Sequence, residues 1–297
     1  MSYQSKALRA LLAAGLTAVL CAGATVTALP ALAAETELQV VQHNTDQVDQ
    51  RWTDVLKRAG DNDAVLAEEV CEASYEKAKK DNPNWTFSFH RQTLTPGATG
   101  AATCPESEKG TKSADGTEHK TWKGLVAVHP GKGDTKDIDF YGAAVNEEKV
   151  KIFGMACVDF RKAGKKVIAC ATHLQVDSDT ARTEQTQKIK KITKKWINND
   201  FSVVVGGDFN TGPTTPAMTN MYKFPDGEGR FVEAHQLKTG KAARAGADTA
   251  VGPEGDGRKI DYVFFDAKHT PLKSGGTFEV TPVAGGHAIL EAKATIK

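Results

Sequence analysis

The sequence predicts an α+β domain of many strands and few helices, preceded by a short export segment. Short apolar runs bounded by turn residues recur through residues 35–297, whereas only three stretches have the spacing of an amphipathic helix. Several runs end on one polar side chain, as in VVVGGDFNTGP (203–213). The length of 297 residues is enough to bury a sizeable core. We therefore expect a packed sheet structure with a site at one edge.

Residues 1–34 have the pattern of a secretory signal peptide, which leaves residues 35–297 as the mature domain. A cationic start with Lys6 and Arg9 precedes an apolar, Ala-rich run, and PALAA offers small residues for cleavage after Ala33 or Ala34. An uncleaved membrane anchor is the alternative, because the run is near spanning length. The Ala/Thr/Gly-rich composition and the small-residue site favour export, so we expect a secreted, extracellular protein.

The charge balance is close to neutral, with 38 Lys and Arg against 37 Asp and Glu. It does not argue for a protein that binds polyanions through its overall charge, although a local basic groove remains compatible with it.

Four cysteines remain after the export segment: Cys71, Cys104, Cys157 and Cys170. An even number in an exported protein favours disulfides, and four cysteines allow three pairings. Cys157 and Cys170 flank RKAGKK, a predicted hairpin turn between two strands, so we expect them to pair across the hairpin. That leaves Cys71 with Cys104. The alternative, a metal site, lacks a CxxC motif or a nearby histidine pattern.

The first part of the domain alternates strands with helices. ELQVVQHNTD (37–46) and DAVLAEEV (63–70) are apolar runs that predict strands. VDQRWTDVLKRAG (48–60) has its apolar residues on one helical side, and ASYEKAKKD (73–81) predicts a second helix. Residues 91–118 are rich in Thr, Gly, Ala and Ser and predict a long loop.

The rest of the domain is mostly strands around one strong helix. DSDTARTEQTQKIKKITKKWINND (177–200) predicts that helix, with Ser178 or Asp179 as its N-cap and Ile189, Ile192 and Trp196 on its inner side. A loop-rich stretch follows VVVGGDFN. The predicted strands are TWKGLVAVHP (121–130), KDIDFYGAAV (136–145), KIFGMACVDF (151–160), KKVIACATHL (165–174), VVVGGDFN (203–210), KIDYVFF (259–265), TFEVTPV (277–283) and HAILEAKATI (287–296).

The strand tips hold two amides, three carboxylates and two imidazoles. They are Asn44, Glu69, His173, Asp208, Asn210, Asp261 and His287. Carboxylate and amide oxygens suit a hard divalent cation, and histidines bind phosphate or exchange protons near neutral pH. Hydrolysis of a phosphodiester needs such a set. Gly206 and Gly207 allow a substrate or a neighbouring strand to approach the backbone just before Asp208.

The motifs VVVGGDFNTGP, DAVLAEEV, CATHLQ, KIDYVF and GGHAIL together resemble the endonuclease/exonuclease/phosphatase superfamily. That superfamily includes deoxyribonuclease-like enzymes, apurinic endonucleases, bacterial sphingomyelinases and inositol polyphosphate phosphatases. ATHLQVDSD is most similar to the corresponding segment of secreted sphingomyelinases. The resemblance covers residues 37–297 and implies a four-layer α/β/β/α sandwich, with two mixed β-sheets between helices.

The resemblance implies a metal site at two of the strand tips. Asn44, in QHN, matches the motif asparagine near the metal, and Glu69, the second acid of AEEV, matches the main metal ligand. The expected ion is Mg²⁺, with Mn²⁺ or Ca²⁺ as alternatives.

The resemblance also implies a role for the other five tips. His173 would contact the phosphate or help to protonate the leaving group, Asp208 would orient the attacking water, and Asn210 would hold phosphate oxygens. Asp261 would pair with His287 and fix its tautomer.

One position departs from the family pattern. The family usually ends in SDH, but this chain has Gly285, Gly286 and His287, so the acid before the histidine is missing. The nearest acids in sequence are Glu279 and Glu291. We expect the missing carboxylate to lower metal affinity and activity.

Each tip residue also has a purely structural interpretation. Glu69 could form a solvated pair with Glu68, and His173 could be a satisfied core histidine. Asp208 and Asn210 could form a polar turn, Asp261 could pair with Lys259 or Arg258, and Asn44 and His287 could be turn or strand-entry residues. All seven occurring in family order by chance is much less probable than any one of these interpretations.

The predicted function is a secreted, divalent-metal-dependent phosphodiesterase that acts by direct attack of water. Its substrate would be extracellular nucleic acid or a phospholipid headgroup, with nucleic acid slightly favoured, because the sequence lacks a clear aromatic-tipped hairpin for membranes. We expect a monomer without a stable protein partner. The alternative is a binding module that keeps the fold with little catalysis, because Gly286 replaces the usual acid.

Overall fold

The computed structural model describes residues 35–92, 104, 123–140, 153–252 and 255–297. The predicted signal peptide and most of the predicted 91–118 loop lie outside these residues. In the first of two six-stranded sheets the order is β13-β14-β1-β2-β4-β3, and only β1 and β2 run parallel. Its strands are β1 (Thr36–Asn44), β2 (Ala64–Cys71), β3 (Thr86–Gln92), β4 (Lys123–His129), β13 (Gly276–Thr281) and β14 (Ile289–Ile296).

The second six-stranded sheet repeats this plan, with the order β5-β6-β7-β8-β12-β9 and one parallel pair, β7 and β8, at its centre. Its strands are β5 (Asp134–Asp139), β6 (Gly154–Lys162), β7 (Lys165–His173), β8 (Phe201–Asp208), β9 (Phe231–Glu233) and β12 (Asp261–Asp266). The short strands β10 (Ala250–Val251) and β11 (Gly257–Arg258) form a separate hairpin.

The helices are α1 (Asp49–Lys57), α2 (Glu72–Asp81), α3 (Asp179–Asn198), α4 (Pro216–Thr219) and α5 (Ala234–Thr239), with 3₁₀ turns at Arg58–Asp61 and Leu272–Ser274. The first four cover the outer faces of the two sheets, whereas α5 packs Ala234 and Leu237 into the apolar layer between the sheets. Of the two expected N-caps of α3, the structure selects Ser178, whose hydroxyl accepts a hydrogen bond from the backbone N–H of Ala181 at 3.2 Å.

Three apolar layers separate these elements and confirm the four-layer sandwich. The middle layer joins the two sheets, with side chains such as Leu66 and Val204 packed between them. One outer layer packs Trp52 of α1 against the first sheet, and the other packs Ile189 of α3 against the second. Both sheets are mixed, as the resemblance implied.

The helix α3 also holds the loop that follows β7. The Arg182 guanidinium donates to the carbonyl oxygen of Gln175 at 2.8 Å, and the backbone N–H of Gln175 donates to Gln185 Oε1 at 3.0 Å. The first turns of α3 therefore fix the chain just beyond His173.

The structure pairs the cysteines as the sequence predicted. Cys157 is bonded to Cys170 across the β6–β7 hairpin, and Cys71 is bonded to Cys104. Among the described residues, we find no helix with the length and apolar character needed to span a membrane.

Two elements differ from the predictions. Residues 86–92 form β3, so residues 91 and 92 of the predicted loop belong to a strand, and the loop-rich stretch after β8 contains α4, β9 and α5. The sequence does not predict β3 because its polar side chains do not mark an exposed face. Ser88 and His90 are 3% and 1% exposed, so its polar side is buried as well as its apolar side.

Candidate functional site

The two central parallel pairs of strands bring the predicted site residues to one end of the sandwich. In the first sheet Asn44 lies beside Glu68 at the ends of β1 and β2, and in the second His173 lies beside Asp208 at the ends of β7 and β8. Strand β12 runs antiparallel to β8 and starts at Asp261, directly opposite Asp208. The tips of both sheets therefore face a common edge.

Gly206 and Gly207 allow the close approach of two different neighbours. A Cβ atom on Gly206 would lie 2.8 Å from Leu66 Cδ1 and 3.3 Å from Gln42 Cγ, both from the facing sheet. A Cβ atom on Gly207 would overlap the carbonyl oxygen of Thr172 on the adjacent β7. The glycines thus permit tight packing of strand on strand and sheet on sheet immediately before Asp208.

Contacts between the sheets join the predicted residues into one network. Asn44 Nδ2 donates to Asp208 Oδ2 at 3.2 Å. His173 lies between two acids, with its Nδ1 atom 3.8 Å from Glu69 Oε1 and its Nε2 atom 3.6 Å from Asp208 Oδ2. Since Asn44 and Glu69 belong to the first sheet and the other two to the second, the network forms only where the sheets meet.

Asp261 and His287 form a hydrogen-bonded pair in this network. His287 Nδ1 lies 2.9 and 3.0 Å from the two carboxylate oxygens of Asp261, which is fully buried. The backbone N–H of Asp261 donates to Thr249 Oγ1 at 2.9 Å. The pairing of Asp261 with Lys259 or Arg258, considered above, is not the one found.

The charge state of His287 follows from this pair. Burial by itself would lower its pKa, but the hydrogen bond and negative charge of Asp261, with smaller contributions from Asp208 and Asp46, raise the pKa to about 9. His287 Nε2 then carries a proton at neutral pH and faces Asp208 Oδ2 at 3.8 Å.

Asp208 and His173 are shifted by burial towards their neutral forms. Burial, followed by the negative charge of Asp261, raises the pKa of Asp208 to about 6. Burial also lowers the pKa of His173 below its ordinary value. The Nδ1 atom of His173 is buried without a hydrogen-bond partner, so this side chain is not a satisfied core histidine.

Glu69 reaches the network through a β-bulge. The register of β2 against β4 shifts between Ala67 and Val70, and Glu69 has a left-handed φ of 57°. Its carboxylate forms an ion pair with Lys123 at 2.7 Å and accepts a hydrogen bond from Gln47 at 2.9 Å. Burial opposes the charge of Glu69, but its interactions with His173 and Lys123 and the hydrogen bond from Gln47 outweigh burial and lower its pKa to about 2.

Glu68 is not part of a solvated pair. It is fully buried between the sheets, where Gln42 Nε2 donates to its Oε2 atom at 2.6 Å. Burial raises the pKa of Glu68 well above the usual range, which favours the neutral form.

Asn210 is held beside Asp208 by its backbone. Its N–H donates to Asp208 Oδ1 at 2.8 Å, and its side-chain Nδ2 donates to the carbonyl oxygen of Leu174 at 2.9 Å. One oxygen of Asp208 is therefore fixed by the Asn210 backbone and the other by Asn44.

Known proteins are similar to this chain in sequence and in fold. No family model matches the chain. Proteins named Phospholipase C from Staphylococcus aureus are 23% identical over 260 residues, which cover 80% of this chain and 76% of theirs.

Solved structures superpose over most of the chain. An endonuclease/exonuclease/phosphatase from Bacteroides vulgatus has a TM-score of 0.59 and 16% identity, covering 88% of this chain and all of its own. The chain has the endonuclease/exonuclease/phosphatase fold. The human Nocturnin catalytic domain with bound sulfate (TM-score 0.59, 14% identity, 88% and 94% coverage) and truncated Caenorhabditis elegans TDP2 (0.58, 13%, 87% and 97%) have the same fold.

The donor atoms at this edge of the endonuclease/exonuclease/phosphatase fold suit a divalent cation. The network holds the carboxylates of Asp46, Glu69, Asp208 and Asp261, and mutual repulsion contributes to the raised pKa of Asp208. A cation would relieve that repulsion, and oxygen donors are what Mg²⁺, Mn²⁺ and Ca²⁺ prefer. Asp208, Asp261 and His287 also form one of two clusters of potential metal ligands among the described residues.

Sequence reasoning missed three contributors to the site. Asp46 lies 3.8 Å from His287 Nε2, Arg51 forms an ion pair with Asp46, and Lys123 pairs with Glu69. A general signal existed for Asp46, since it follows Asn44 by two residues, but nothing in the sequence indicates that it reaches His287.

Proposed function

We propose that this chain is a divalent-metal-dependent phosphodiesterase that hydrolyses its substrate by direct attack of water. The convergence of six predicted strand-tip side chains and the backbone of the seventh residue, Asn210, into one network across the two sheets is the observation that supports the proposal. The four mature cysteines are disulfide-bonded, so none of them is available as a nucleophile.

Asn44 and Glu69 would hold the cation. Glu69 is ionised at any pH above its pKa of about 2, so its carboxylate would offer a negatively charged oxygen to the ion. When bound, the cation would polarise a non-bridging phosphate oxygen and offset the charge that develops on the phosphoryl group.

Asp208 orients the attacking water and accepts its proton. Its two oxygens are fixed by Asn44 and by the backbone of Asn210, so the carboxylate is held in one direction. Its pKa of about 6 leaves it ionised at neutral pH yet basic enough to take a proton. Asn210 lies beside it, next to the place where the phosphate oxygens would bind.

His287 donates a proton to the leaving oxygen, and His173 contacts the phosphate. The pKa values of the two imidazoles are shifted in opposite directions, because Asp261 raises the pKa of His287 while burial lowers the pKa of His173. Asp261 also fixes the tautomer of His287, so that Nε2 faces the site.

For the substrate, two observations weigh against the slight sequence preference for nucleic acid. The similar S. aureus proteins are named Phospholipase C. The exposed large hydrophobic side chains of the described residues are Val48, Val176 and Val251, which lie in the loops after β1 and β7 and in β10, close in sequence or pairing to Asp46, His173 and His287. We therefore propose a phospholipid headgroup as the substrate, with nucleic acid as the alternative.

We also propose that the protein is secreted and monomeric. The signal-peptide pattern of residues 1–34 and the two disulfides support export, since disulfides persist in oxidising compartments.

Hydrolysis assays with matched variants test this function. The purified protein is incubated with phosphatidylcholine or sphingomyelin vesicles, plasmid DNA and RNA, each with Mg²⁺ or with EDTA. We expect EDTA-sensitive release of the phosphorylated headgroup, a loss of about 10²-fold or more in Asp208→Asn and His287→Gln, and no change in the exposed α1 variant Asp54→Asn. Metal-dependent cleavage of nucleic acid without cleavage of phospholipid would contradict the phospholipid substrate and indicate a nuclease.

No metal-dependent product from any substrate would contradict the phosphodiesterase and leave the binding module. Gly286 is the observation behind that alternative, which predicts saturable binding to vesicles or nucleic acid without hydrolysis.

A further inference from the structure

The space of a side chain at position 286 is already filled. A Cβ atom built on Gly286 would overlap Arg51 Nη1 and Asp46 Oδ2, both well inside van der Waals contact. A side chain at position 286 would therefore have to displace the ends of the Arg51 and Asp46 side chains, which come from the first turn of α1 and the turn after β1. The carboxylate of Asp46 thus lies next to the position where the family pattern has an acid and this chain has Gly286.

Asp46 is held in this position by an ion pair and a hydrogen bond, and its ion-pair partner Arg51 is itself anchored to the loop before His287. Arg51 forms an ion pair with its Oδ2 atom, and the other terminal nitrogen of Arg51 donates to the carbonyl oxygen of Ala284 at 3.1 Å. The backbone N–H of Asp46 donates to Asn44 Oδ1 at 3.0 Å, and its φ of 49° is left-handed, which aspartate tolerates better than most residues. These contacts connect the turn after β1 to the loop before His287 through Arg51.

The anchoring leaves one oxygen of Asp46 directed into the site. Oδ2 is bound by Arg51, whereas Oδ1 lies 3.8 Å from His287 Nε2, the same separation as between that nitrogen and Asp208 Oδ2. Carboxylates that ligate metals are commonly held by a hydrogen bond to one oxygen while the other serves the ion. Asp46 has this arrangement, and Asn44, the predicted ligand, is tied to it directly.

We propose that Asp46 supplies, from the end of β1, the carboxylate that Gly286 lacks, and that it serves as an oxygen ligand of the catalytic cation together with Glu69. The ligand role of Asp46 rests on the proposed function, because that function supplies the cation. The steric lock, by which we mean the packing of Asp46 and Arg51 over Gly286, does not depend on the proposed function. It also means that Gly286→Asp in the natural chain does not simply restore a missing acid, because the added side chain meets an occupied space.

Metal affinity tests the ligand role independently of catalysis. Mn²⁺ is titrated by calorimetry into the EDTA-treated, dialysed protein. We expect Asp46→Asn, which keeps the shape and removes the charge, to weaken Mn²⁺ binding at least about tenfold. The control Asp54→Asn removes an exposed acid from the neighbouring helix and should leave the affinity unchanged. An Asp46→Asn affinity within about twofold of the natural protein overturns the ligand role, since an ion pair that only braces the loop would not alter it.

Moving the carboxylate tests the exchange between positions 46 and 286. Gly286→Asp alone should lower the thermal midpoint, because its side chain would displace Arg51 from the ion pair with Asp46. In the Asp46→Gly background, which suits the left-handed backbone, Gly286→Asp should be tolerated and should recover most of the Mn²⁺ affinity and activity lost in Asp46→Gly. A double variant no better than Asp46→Gly in either property overturns the exchange.

The two readouts separate the possible failures. If the natural protein binds no Mn²⁺, the proposed function fails, and the thermal midpoints of the four-member cycle still decide the steric lock. If Asp46→Gly does not fold, the isosteric Asp46→Asn with and without Gly286→Asp gives the same comparison. Additive midpoints in either cycle would refute the lock.

Discussion

Replacing Asp261 by asparagine should remove the acid function of His287 while leaving the shape of the site intact. Asp261 is fully buried, and its only ion-pair partner among the described residues is His287, at 2.9 Å. The change deletes the negative charge and keeps an oxygen that accepts a hydrogen bond from His287 Nδ1. The perturbation is therefore electrostatic rather than steric.

The size of the effect follows from the pKa of His287. Its rise from 6.5 to about 9 corresponds to about 3 kcal/mol of preference for the imidazolium form. Without Asp261 we expect the pKa to fall to near 6.5. At pH 8 the protonated fraction would then drop from about nine-tenths to about one-thirtieth, which predicts a roughly thirtyfold loss in the acid-catalysed step.

The assay compares two leaving groups across pH. With an alkyl leaving group, such as a lipid diacylglycerol, kcat/KM of the natural protein should fall on the acid side near pH 6, where Asp208 becomes protonated, and on the alkaline side near pH 9. Asp261→Asn should move the alkaline limb to lower pH, and it should also lower the acid limb, because the charge of Asp261 contributes to the raised pKa of Asp208. With a 4-nitrophenyl phosphodiester, whose leaving group needs no protonation, the loss should be much smaller.

Stability gives a second readout of the same change. A histidine whose pKa is raised in the folded state stabilises the fold fully below about pH 6.5, and this contribution is lost as the pH rises through about 9. The difference in unfolding free energy between the natural protein and Asp261→Asn should thus be larger at pH 6 than at pH 10. An unchanged alkaline limb, or an equal loss with both leaving groups, would refute the assignment of His287 as the acid.

Three further changes test the packing around the site by urea unfolding. Gly207→Ala should destabilise the fold by about 1–3 kcal/mol, because its methyl group meets a carbonyl oxygen of β7, whereas alanine at Gly212, where a Cβ meets nothing, should cost little. Lys259→Met should cost about 3–5 kcal/mol, because it leaves Glu233, its ion-pair partner at 2.5 Å, charged and fully buried, and adding Glu233→Gln should recover part of the loss. Replacing the 157–170 disulfide by two alanines should cost about 3 kcal/mol, as expected for a crosslink between residues 13 apart, and reducing agent should then have less effect on the variant than on the natural protein.

The sequence was sufficient for the architecture and for the strand-tip residues. The strands that end in QHN, THL and GDFN, and the KIDY strand, place their polar residues at a common edge because the central strands of each sheet run parallel. Periodicity identified α3, and the positions of the cysteines around a predicted hairpin gave the correct pairing. These features depend on local patterns, which a single sequence contains.

The remaining features depend on contacts between distant segments. Asp46 and Gly286 are far apart in sequence, so the search for a replacement acid near Glu279 and Glu291 could not find it; Glu291 instead forms an ion pair with Arg58. Glu68 is buried between the sheets, whereas Glu69 reaches the site, and this difference arises from the β-bulge in β2. The alternation of side chains along a strand does not indicate such a bulge.

The split of the polar network between the sheets has a consequence for how the protein loses activity. Each of the links Asn44–Asp208, Glu69–His173 and His287–Asp261 joins a residue on the first-sheet side to one of the second sheet. Neither half of the sandwich contains a working set of groups by itself. A partly unfolded state that keeps both sheets but separates them by a few ångströms should retain its far-ultraviolet circular dichroism and lose its catalytic activity. Activity should therefore report the packing of the two sheets more sensitively than secondary structure does.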